Sequence, residues 1–409
     1  MGSVRLALGA ERYNPLSEGL EAGIGPMDEK RSPARICFII AGVLLAACPA
    51  LMWLFAQFSD ALFPLYRNFS KAWIALLAGV TGIVPFALWD IGVLVLAVAA
   101  LIALVRCIFK RCGFALWLSL VALALSATLF SFVGGWALNH YAPPLAQEIG
   151  LDTRESTIDE LADATAFYLE QAARSAPLVP RDAEGRLVRQ DFFEIASIAG
   201  SSYAVLEERH DIFYGSHSPV KALLAWGEPL LYSGHIGIFW APTGEPAVPL
   251  NCADADRPFT MCHEAAHRLA IASEEEANFA AFLACEASDD ARFIYSGYYH
   301  AFVYCFDALY AASPECAQEL LEEIAASDLY EGAVLVFSDR AATRAHYDAY
   351  EGPFEEVGTA VNDGYLRSFG EESGVKSYGL VVDYLIAWHE SGSAAIALQS
   401  GQPSGRLGR

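Results

Sequence analysis

Two histidines separated by three residues make one segment of this sequence well suited to metal chemistry. In His263-Glu264-Ala265-Ala266-His267, both imidazoles lie on one face of a helix and can bind the same Zn²⁺. Glu264 is then placed to accept a proton from a water that the zinc activates. The spacing predicts the catalytic centre of a zinc hydrolase, and a helix that carries two histidines by coincidence is the alternative.

An acidic segment that begins seven residues after His267 offers a third ligand. Ser273 and Glu276 fit a capping box, so a second helix is predicted to begin here and the zinc helix to end near residues 270–272. This turn would return the start of the second helix to the metal. One carboxylate there completes three protein ligands and leaves the fourth position to water.

Three adjacent glutamates compete for the role of third ligand. We choose Glu274 because Asn278, four residues later, shares its face and can hydrogen-bond a ligand histidine. Glu275 and Glu276 suit a solvated helix start, where their charge complements the helix dipole. On the residues alone, all three stay open.

The helix predicted at residues 291–312 carries candidate donors for the oxyanion of a transition state. The candidates are Tyr295, Tyr298, Tyr299 and His300. Packing in an aromatic core is the alternative for each of them. The remaining histidines have no partner at metal-binding spacing and are predicted to be ordinary; they are His140, His210, His217, His235, His346 and His389.

Charge and hydropathy divide the chain near residue 136. Hydrophobic residues make up 55% of the sequence, and their excess lies in the first third. Of the net charge of −23, residues 1–136 contribute +3 and residues 137–409 contribute −26. An acidic surface of this size repels phosphate backbones, so nucleic acid is not an expected partner. No cysteine pair has the CxxC spacing of a structural zinc site, and disulfide pairing cannot be assigned from the sequence.

The apolar first third predicts an integral membrane region at residues 36–136. Its predicted parts are spans at about 36–57, 91–109 and 114–136, with an amphipathic segment at 72–88 that lies in the membrane interface. A disordered cytoplasmic leader, residues 1–35, precedes it. Residues 137–395 form the second domain, and residues 396–409 form a flexible tail.

Positive charge orients these spans. Lys30, Arg31 and Arg35 precede the first span, and a second basic cluster at residues 106–111 separates the other two, so both are predicted to be cytoplasmic. The second domain is then extracytoplasmic. Counting residues 72–88 as a fourth span would reverse this arrangement, and the charge distribution opposes it.

Before the zinc helix, residues 233–240 and 242–250 are predicted as two short strands around a turn. This hairpin would either hold an extended peptide as an added strand or simply close one side of the domain. The chain after residue 257 is predicted to be mostly helical, with helices at about 258–270, 274–287, 291–312, 314–326, 341–350, 354–368 and 376–391.

Several segments resemble an uncharacterised family of bacterial membrane proteins with three N-terminal spans and an HExxH-type domain. The segments that carry the resemblance are 136–141, 258–267, 273–279, 295–298, 361–366 and 374–379. The resemblance implies a zinc metallopeptidase-like domain, and the Glu-x-x-Ala-Asn pattern is similar to the third-ligand helix of gluzincin-like peptidases, which implies Glu274. The family usually has glycine where this chain has Ala270, so a turn that is either strained or differently shaped is expected here.

We therefore predict a mainly α membrane protein, with three N-terminal transmembrane helices and an α-rich α+β zincin-like domain that carries a small edge hairpin. The predicted function is a Zn²⁺-dependent metallopeptidase of the bacterial cytoplasmic membrane that cleaves peptide or protein amide bonds outside it. Two alternatives stay open: a zinc-containing sensor or binding module that signals through the membrane helices, and a zinc amidase that acts on cell-wall material. Glu264 favours a hydrolase, because a structural zinc site needs no general base.

Overall fold

The computed structural model describes residues 33–111, 113–369 and 378–392, and this part of the chain is mainly helical. The helices are α1 (Pro33–Thr81), α2 (Leu88–Lys110), α3 (Phe114–Gly135), α4 (Leu145–Ile149), α5 (Ile158–Ser175), α6 (Phe192–Ser201), α7 (Ala204–Glu207), α8 (Gly227–Tyr232), α9 (Arg257–Arg268), α10 (Glu274–Glu286), α11 (Ala291–Ala312), α12 (Pro314–Ala325), α13 (Tyr330–Asp348), α14 (Pro353–Ser368) and α15 (Tyr378–Glu390). The strands are β1 (Lys221–Leu223), β2 (Ile238–Trp240) and β3 (Glu245–Pro249). The predicted tail and all but the last three residues of the predicted leader lie outside the described residues.

Three helices are long and apolar enough to cross a membrane. They are Pro33–Thr81, Leu88–Lys110 and the segment Phe114–Tyr141, which adds a short 3₁₀ turn to α3. The three predicted spans fall within these helices. At about 1.5 Å per residue, the 22 residues of α3 extend for roughly 33 Å, which matches the hydrocarbon core of a bilayer.

Helix α1 consists of two limbs. At Phe58 the backbone leaves the helical region, with φ −135° and ψ 30°, so residues 33–57 form a first limb and residues 59–81 a second. The first limb runs parallel to α3, since successive contacts join Leu51 to Gly134 and Phe55 to Tyr141. The start of α1 and the turn between α2 and α3 therefore lie at one end of these three apolar helices, and the described residues from 137 onward lie at the other.

The second limb of α1 corrects the bounds of the predicted interfacial segment at 72–88. The helix begins earlier, at residue 59, and ends at Thr81; the chain after it is not helical, and Phe86 forms a bridge with Ala222 of β1. The amphipathic character extends over the longer helix. One face packs inward through Tyr66, Ser70, Lys71, Ile74 and Ala78, and the other exposes Leu65, Phe69, Leu76 and Val80.

The three strands form one small sheet in the order β1-β3-β2. Strands β2 and β3 are the predicted hairpin, which pairs Ile238 with Ala247 and Trp240 with Glu245. Strand β1 was not predicted; it pairs with β3 in parallel and is too short to show a periodic pattern. This order leaves β2 at the edge of the sheet.

Two buried carboxylates fasten α2 to the sheet. Asp90, in the first turn of α2, accepts hydrogen bonds from the backbone N–H groups of residues 224, 225 and 226 at 2.7–2.9 Å. Glu245 of β3 accepts from the first two N–H groups of α2, those of Leu88 and Trp89, at 2.9 and 3.2 Å. Each carboxylate satisfies donors that would otherwise be buried without a partner.

The main core lies among α5, α9, α10, α11 and α15, with α13 against α5. Residues 291–312 form α11 as predicted, and most of the other helices after residue 257 begin and end within two residues of their predicted bounds. The exception is α13, which begins at Tyr330, eleven residues earlier than the predicted helix at 341–350.

We expect Asp90→Ala to loosen the junction between α2 and the sheet, because it leaves three backbone N–H groups without an acceptor. Each lost hydrogen bond to a charged group costs about 1.5–3 kcal/mol. The thermal midpoint of the purified protein should fall by several degrees, and amide exchange at residues 224–226 should accelerate. Asp60→Ala is the matched control, since Asp60 is exposed on α1. Equal behaviour of the two variants would contradict this role of Asp90.

Candidate metal centre

Helix α9 carries the two histidines of the HExxH segment. Pro258 lies in its first turn, where the missing N–H costs nothing, and the helix ends at Arg268. Its inward face is almost wholly buried, so the position of each side chain is fixed by packing. His263 and His267 therefore face the same cavity from successive turns.

A tight turn joins α9 to α10. Ala270 adopts φ +68°, so of the two possibilities raised by the family resemblance the turn is the strained, left-handed one. For a residue other than glycine this costs about 1–2 kcal/mol. The turn is held by backbone hydrogen bonds from Ala270 N to His267 O and from Ile271 N to Ala266 O, at 3.0 and 3.2 Å. It directs the first residue of α10 back toward the histidines.

The turn brings three donor groups together. The Nε2 atoms of His263 and His267 lie 3.0 Å apart, and the carboxylate of Glu274 lies 3.1 Å from the first and 3.6 Å from the second. All ligand atoms of the three residues lie within 4.8 Å of one another. These are the three residues that were predicted to bind zinc.

Neighbouring groups orient both imidazoles. The Nδ1 atom of His267 donates to the carbonyl of Ile271 at 2.8 Å, which directs its Nε2 atom at the cavity. The side chain of Asn278 hydrogen-bonds His263, as the shared face with Glu274 predicted. Trp136, the residue that follows α3, donates from its indole N–H to the carbonyl of His267 at 2.8 Å.

Opposing effects set the ionisation of the three groups. Burial lowers the pKa of His263 and acts in the same direction on His267, but at His267 the combined effect of Glu274, Glu264 and the Ile271 carbonyl outweighs burial and raises the pKa to about 9. Burial alone would raise the pKa of Glu274, whereas the two histidines hold it well below its usual value. Glu274 is therefore an anion beside a proton-sharing pair of imidazoles.

These donors fit a zinc ion. A tetrahedral Zn²⁺ with ligand distances of about 2.0–2.1 Å holds its donor atoms about 3.3 Å apart. The measured separations of 3.0, 3.1 and 3.6 Å fall on both sides of this value. Two imidazoles and one carboxylate are also a ligand set of catalytic rather than structural zinc sites.

Glu264 lies beside the three donors with one oxygen unpartnered. Burial raises the pKa of this carboxyl to about 8, and its Oε2 atom is buried without a hydrogen-bond partner. The space for it exists because residue 237 is glycine: a Cβ atom there would collide with the Glu264 carboxylate. Gly237 directly precedes β2, so the edge strand and α9 meet at this carboxylate.

The other two glutamates of the acidic segment have different places. Glu276 accepts a hydrogen bond from Leu145 N at 2.7 Å, and Glu275 is buried at the side of the cavity. The predicted capping box is wrong, although Ser273 is the N-cap residue, because its side chain makes no capping hydrogen bond. Glu276 is instead turned toward α4 by the Leu145 amide.

Three of the four predicted oxyanion donors do not reach the cavity, which corrects that prediction. Tyr295 donates to Asp339, Tyr298 donates to Glu286 at 2.9 Å, and Tyr299 is buried in the same core. These tyrosines face the centre of the helical domain, where their hydroxyls need partners. Only His300 of this group lines the cavity, with its ring stacked on Phe259 at 4.0 Å.

A cavity of about 1290 Å³ opens in front of the donors. Strand β2 forms one wall and α14 forms another, and α14 meets the segment that precedes β2 where Gly358 packs on the backbone of Ser233. Two polar side chains of this wall were not predicted at the site: His235, which was predicted to be an ordinary histidine, and Tyr365. The hydroxyl of Tyr365 lies 2.7 Å from Nε2 of His140, a contact across 225 positions that no local spacing can reveal.

Comparison with known proteins places the chain in a family without a known activity. A family model described as "Protein of unknown function (DUF3810)" matches residues 65–386, more than three quarters of the chain. The chain belongs to the DUF3810 family. No curated protein and no solved structure matches it. In this DUF3810 protein the match begins in the second limb of α1 and includes every residue of the candidate metal centre.

The cysteines of this DUF3810 protein take no part in the centre. The eight cysteines among the described residues are free thiols, and the ninth, Cys112, lies outside the described residues. Cys262, which precedes the first histidine, is fully buried and faces away from the cavity toward Tyr203 and Cys285. A disulfide therefore does not shape the site within the described part of the chain.

We expect Ala270→Gly to stabilise the protein by about 0.5–1 kcal/mol, because glycine removes the left-handed strain at some cost in chain entropy. Ala272→Gly is the matched control: it removes a methyl group from the same buried cluster at a position without positive φ and should destabilise by about 1 kcal/mol. Thermal unfolding in the presence of a chelator measures both. Destabilisation of similar size in the two variants would show that the turn is unstrained.

Proposed function

We propose that this protein is a membrane-anchored zinc-dependent hydrolase, and most specifically a metallopeptidase with a zincin-like, gluzincin-type centre. The observation that carries the proposal is the convergence of His263, His267 and Glu274 beside a buried carboxylate, Glu264, that has an unpartnered oxygen. A site that only stabilised the fold would have no use for that fourth group. The cavity in front of it has room for a polypeptide segment.

Each residue has a role that follows from its position. His263, His267 and Glu274 would hold Zn²⁺, which supplies Lewis acidity and an activated water to the site when bound. Glu264 accepts and returns a proton, a role that suits a carboxyl with a pKa near neutrality. Asn278 and the Ile271 carbonyl keep the imidazoles in the required orientation.

Strand β2 is suited to hold the substrate. Within the described part of the chain it pairs only with β3, so its other edge carries backbone groups available to an extended peptide. Gly237 and the β2 residues line the cavity beside Glu264. Of the two interpretations of the hairpin, this position favours peptide binding. His235, His300 and Tyr365 are the cavity-lining side chains from which a donor to the developing oxyanion would come.

The proposed location is the bacterial cytoplasmic membrane, with residues 137–395 outside the cytoplasm. The start of α1 and the turn between α2 and α3 lie at the end of the membrane helices opposite to the candidate centre. Basic residues flank both of these segments in the sequence, which makes them the cytoplasmic ones. A peptide or protein substrate would therefore be met on the outer side.

A sensor is the second candidate, and the junction at Asp90 and Glu245 favours it. These two carboxylates couple the sheet beside the cavity directly to α2, so a ligand that moves the sheet would also move a membrane helix. The unpartnered carboxylate of Glu264 is the argument for hydrolysis over this alternative. A zinc amidase that acts on cell-wall amides would share the centre and differ only in substrate.

Metal analysis tests the proposal at its first step. The wild-type protein, purified without chelator and supplied with zinc, should bind about one zinc ion per chain, and His263→Ala should lose it. Glu264→Gln should retain the metal and lose hydrolysis by roughly 10²–10⁴-fold, because it removes the proton acceptor but no ligand. Absence of zinc from the wild-type protein, or full activity of Glu264→Gln, would exclude the mechanism.

The third ligand has its own test. Glu274→Gln should weaken zinc binding by at least 10-fold, because the anionic donor is replaced by a neutral amide. Glu276→Gln is the matched control, since the amide oxygen can still accept from Leu145 N and the residue is not a donor to the metal. Competition with a chromophoric chelator measures both affinities. Loss of zinc in Glu276→Gln and its retention in Glu274→Gln would transfer the role to Glu276.

A further inference from the structure

We propose that the substrate of this site is the juxtamembrane segment of a membrane-anchored polypeptide, cleaved a few residues from its membrane span. This inference rests on the proposed hydrolase function and adds the class of substrate. It depends on where the candidate centre lies relative to the membrane helices and on the apolar character of the cavity walls.

The end of α3 touches the candidate centre directly. Trp136 directly follows the last residue of α3. Its ring centroid lies 5.8 Å from that of His267, and its indole N–H also donates to the His267 carbonyl. One turn earlier, Phe132 of α3 lies 5.7 Å from Tyr365 in the cavity wall. The centre is therefore one side-chain layer beyond the end of a helix long enough to cross the membrane.

The start of α2 reaches the same cavity from another side. Trp89, in the first turn of α2, stacks on Trp240 of β2 with ring centroids 4.9 Å apart. Trp240 lines the cavity. Two membrane helices thus end at the cavity wall, and tryptophan at both ends is typical of the membrane–water interface.

The second limb of α1 packs against the turn that carries the centre. Ile74, on its inner face, packs in one cluster with Trp136, Phe239 and Ala270. Its outer face exposes Leu65, Phe69, Leu76 and Val80, four apolar side chains at helical spacing. Such a face is stable at a membrane surface and costly in water. We therefore place this helix on the bilayer surface, so that about one helix layer, roughly 10 Å, separates the bilayer from the turn that carries the centre.

The walls of the cavity fit an apolar polypeptide. Helix α14 presents Phe354, Val357 and Val361, which are 71%, 60% and 69% exposed although they border the cavity. An apolar ligand would cover them. On the opposite wall, the edge of β2 offers main-chain hydrogen bonds, which recognise a peptide backbone and not a lipid chain. The acidic groups between the walls, such as Glu275 and Glu351, oppose anionic head groups.

The geometry sets the distance between the membrane and the bond to be cleaved. An extended chain rises about 3.3 Å per residue, and one helix layer is about 10 Å thick. A substrate that leaves the bilayer beside the second limb of α1 therefore reaches the donors after roughly three to six residues. Peptide bonds of the substrate that lie much farther from its membrane span are not brought to the donors by that span.

The test uses the full-length zinc-loaded protein in vesicles of phosphatidylcholine and phosphatidylglycerol. Four substrates are compared. The first is a single-span peptide with an apolar stretch that begins four residues after its span, and the second is the same peptide with a long Gly/Ser spacer before the stretch. The third is the apolar stretch without an anchor, and the fourth is an N-acyl amide lipid. We expect the first to be cleaved at least 10-fold faster than the others. Mass spectrometry should place the cut within about six residues of the span.

A binding measurement separates this inference from the proposed function. A photoreactive residue in the apolar stretch of the first peptide should cross-link to β2 or α14 of the Glu264→Gln variant, in which no cleavage is expected. Val361→Asp should reduce both cross-linking and cleavage several-fold. Val334→Asp, an exposed valine of α13 that does not line the cavity, is the matched control and should change neither.

The outcomes are distinct. Cleavage of the free or spaced stretch as fast as the juxtamembrane one, or hydrolysis of the amide lipid alone, would overturn the inference and leave a zinc hydrolase. Cross-linking to β2 or α14 without cleavage of any substrate by the wild-type protein would overturn the hydrolase and leave a juxtamembrane binding site. Absence of both cleavage and cross-linking would overturn both.

Discussion

The candidate centre depends on the five-residue turn between α9 and α10. The left-handed residue at position 270 reverses the chain within that length and returns Glu274 to the two histidines. The turn brings a carboxylate to imidazoles that are themselves fixed by helical spacing, so the centre forms from adjacent segments. The strain at Ala270 costs about 1–2 kcal/mol, and the buried core that surrounds α9 and α10 offsets it.

The centre and the membrane helices are parts of one structure rather than two domains joined by a linker. Asp90 of α2 accepts hydrogen bonds from the backbone after β1, and Glu245 of β3 accepts from the backbone at the start of α2. Trp136, at the end of α3, donates to the carbonyl of His267. Lys221 of β1 is buried and donates to the carbonyl of Thr81 at the end of α1. Because buried polar groups are costly when unpaired, these contacts fix the domain against all three membrane helices. The division at residue 136 is therefore a boundary in composition, and packing continues across it.

Local patterns predicted those features that depend on local spacing. The periodicity of residues 291–312 defines α11, and the HExxH spacing together with a short connection is enough to bring Glu274 near the histidines. The hydroxyl of Tyr298 was predicted in the cavity and lies in the core, because the face that a helix turns inward depends on partners distant in the sequence. The contact of His140 with Tyr365 is missed for the same reason. Strand β1 has three residues, too few to distinguish from a loop.

The carboxyl groups of Glu264 and Glu274 have pKa values shifted in opposite directions, and this difference supports the roles proposed for them. Glu274 lies against two imidazoles, which stabilise its charge and hold its pKa well below the usual value. Glu264 lies on α9 beside them, and burial, the largest influence on this carboxyl, raises its pKa to about 8. A ligand for a cation must stay ionised, which suits Glu274. A group that accepts and returns a proton must titrate near neutrality, which suits Glu264. The pKa values of these two carboxyl groups thus differ because the α9–α10 turn places Glu274, but not Glu264, against the two imidazoles.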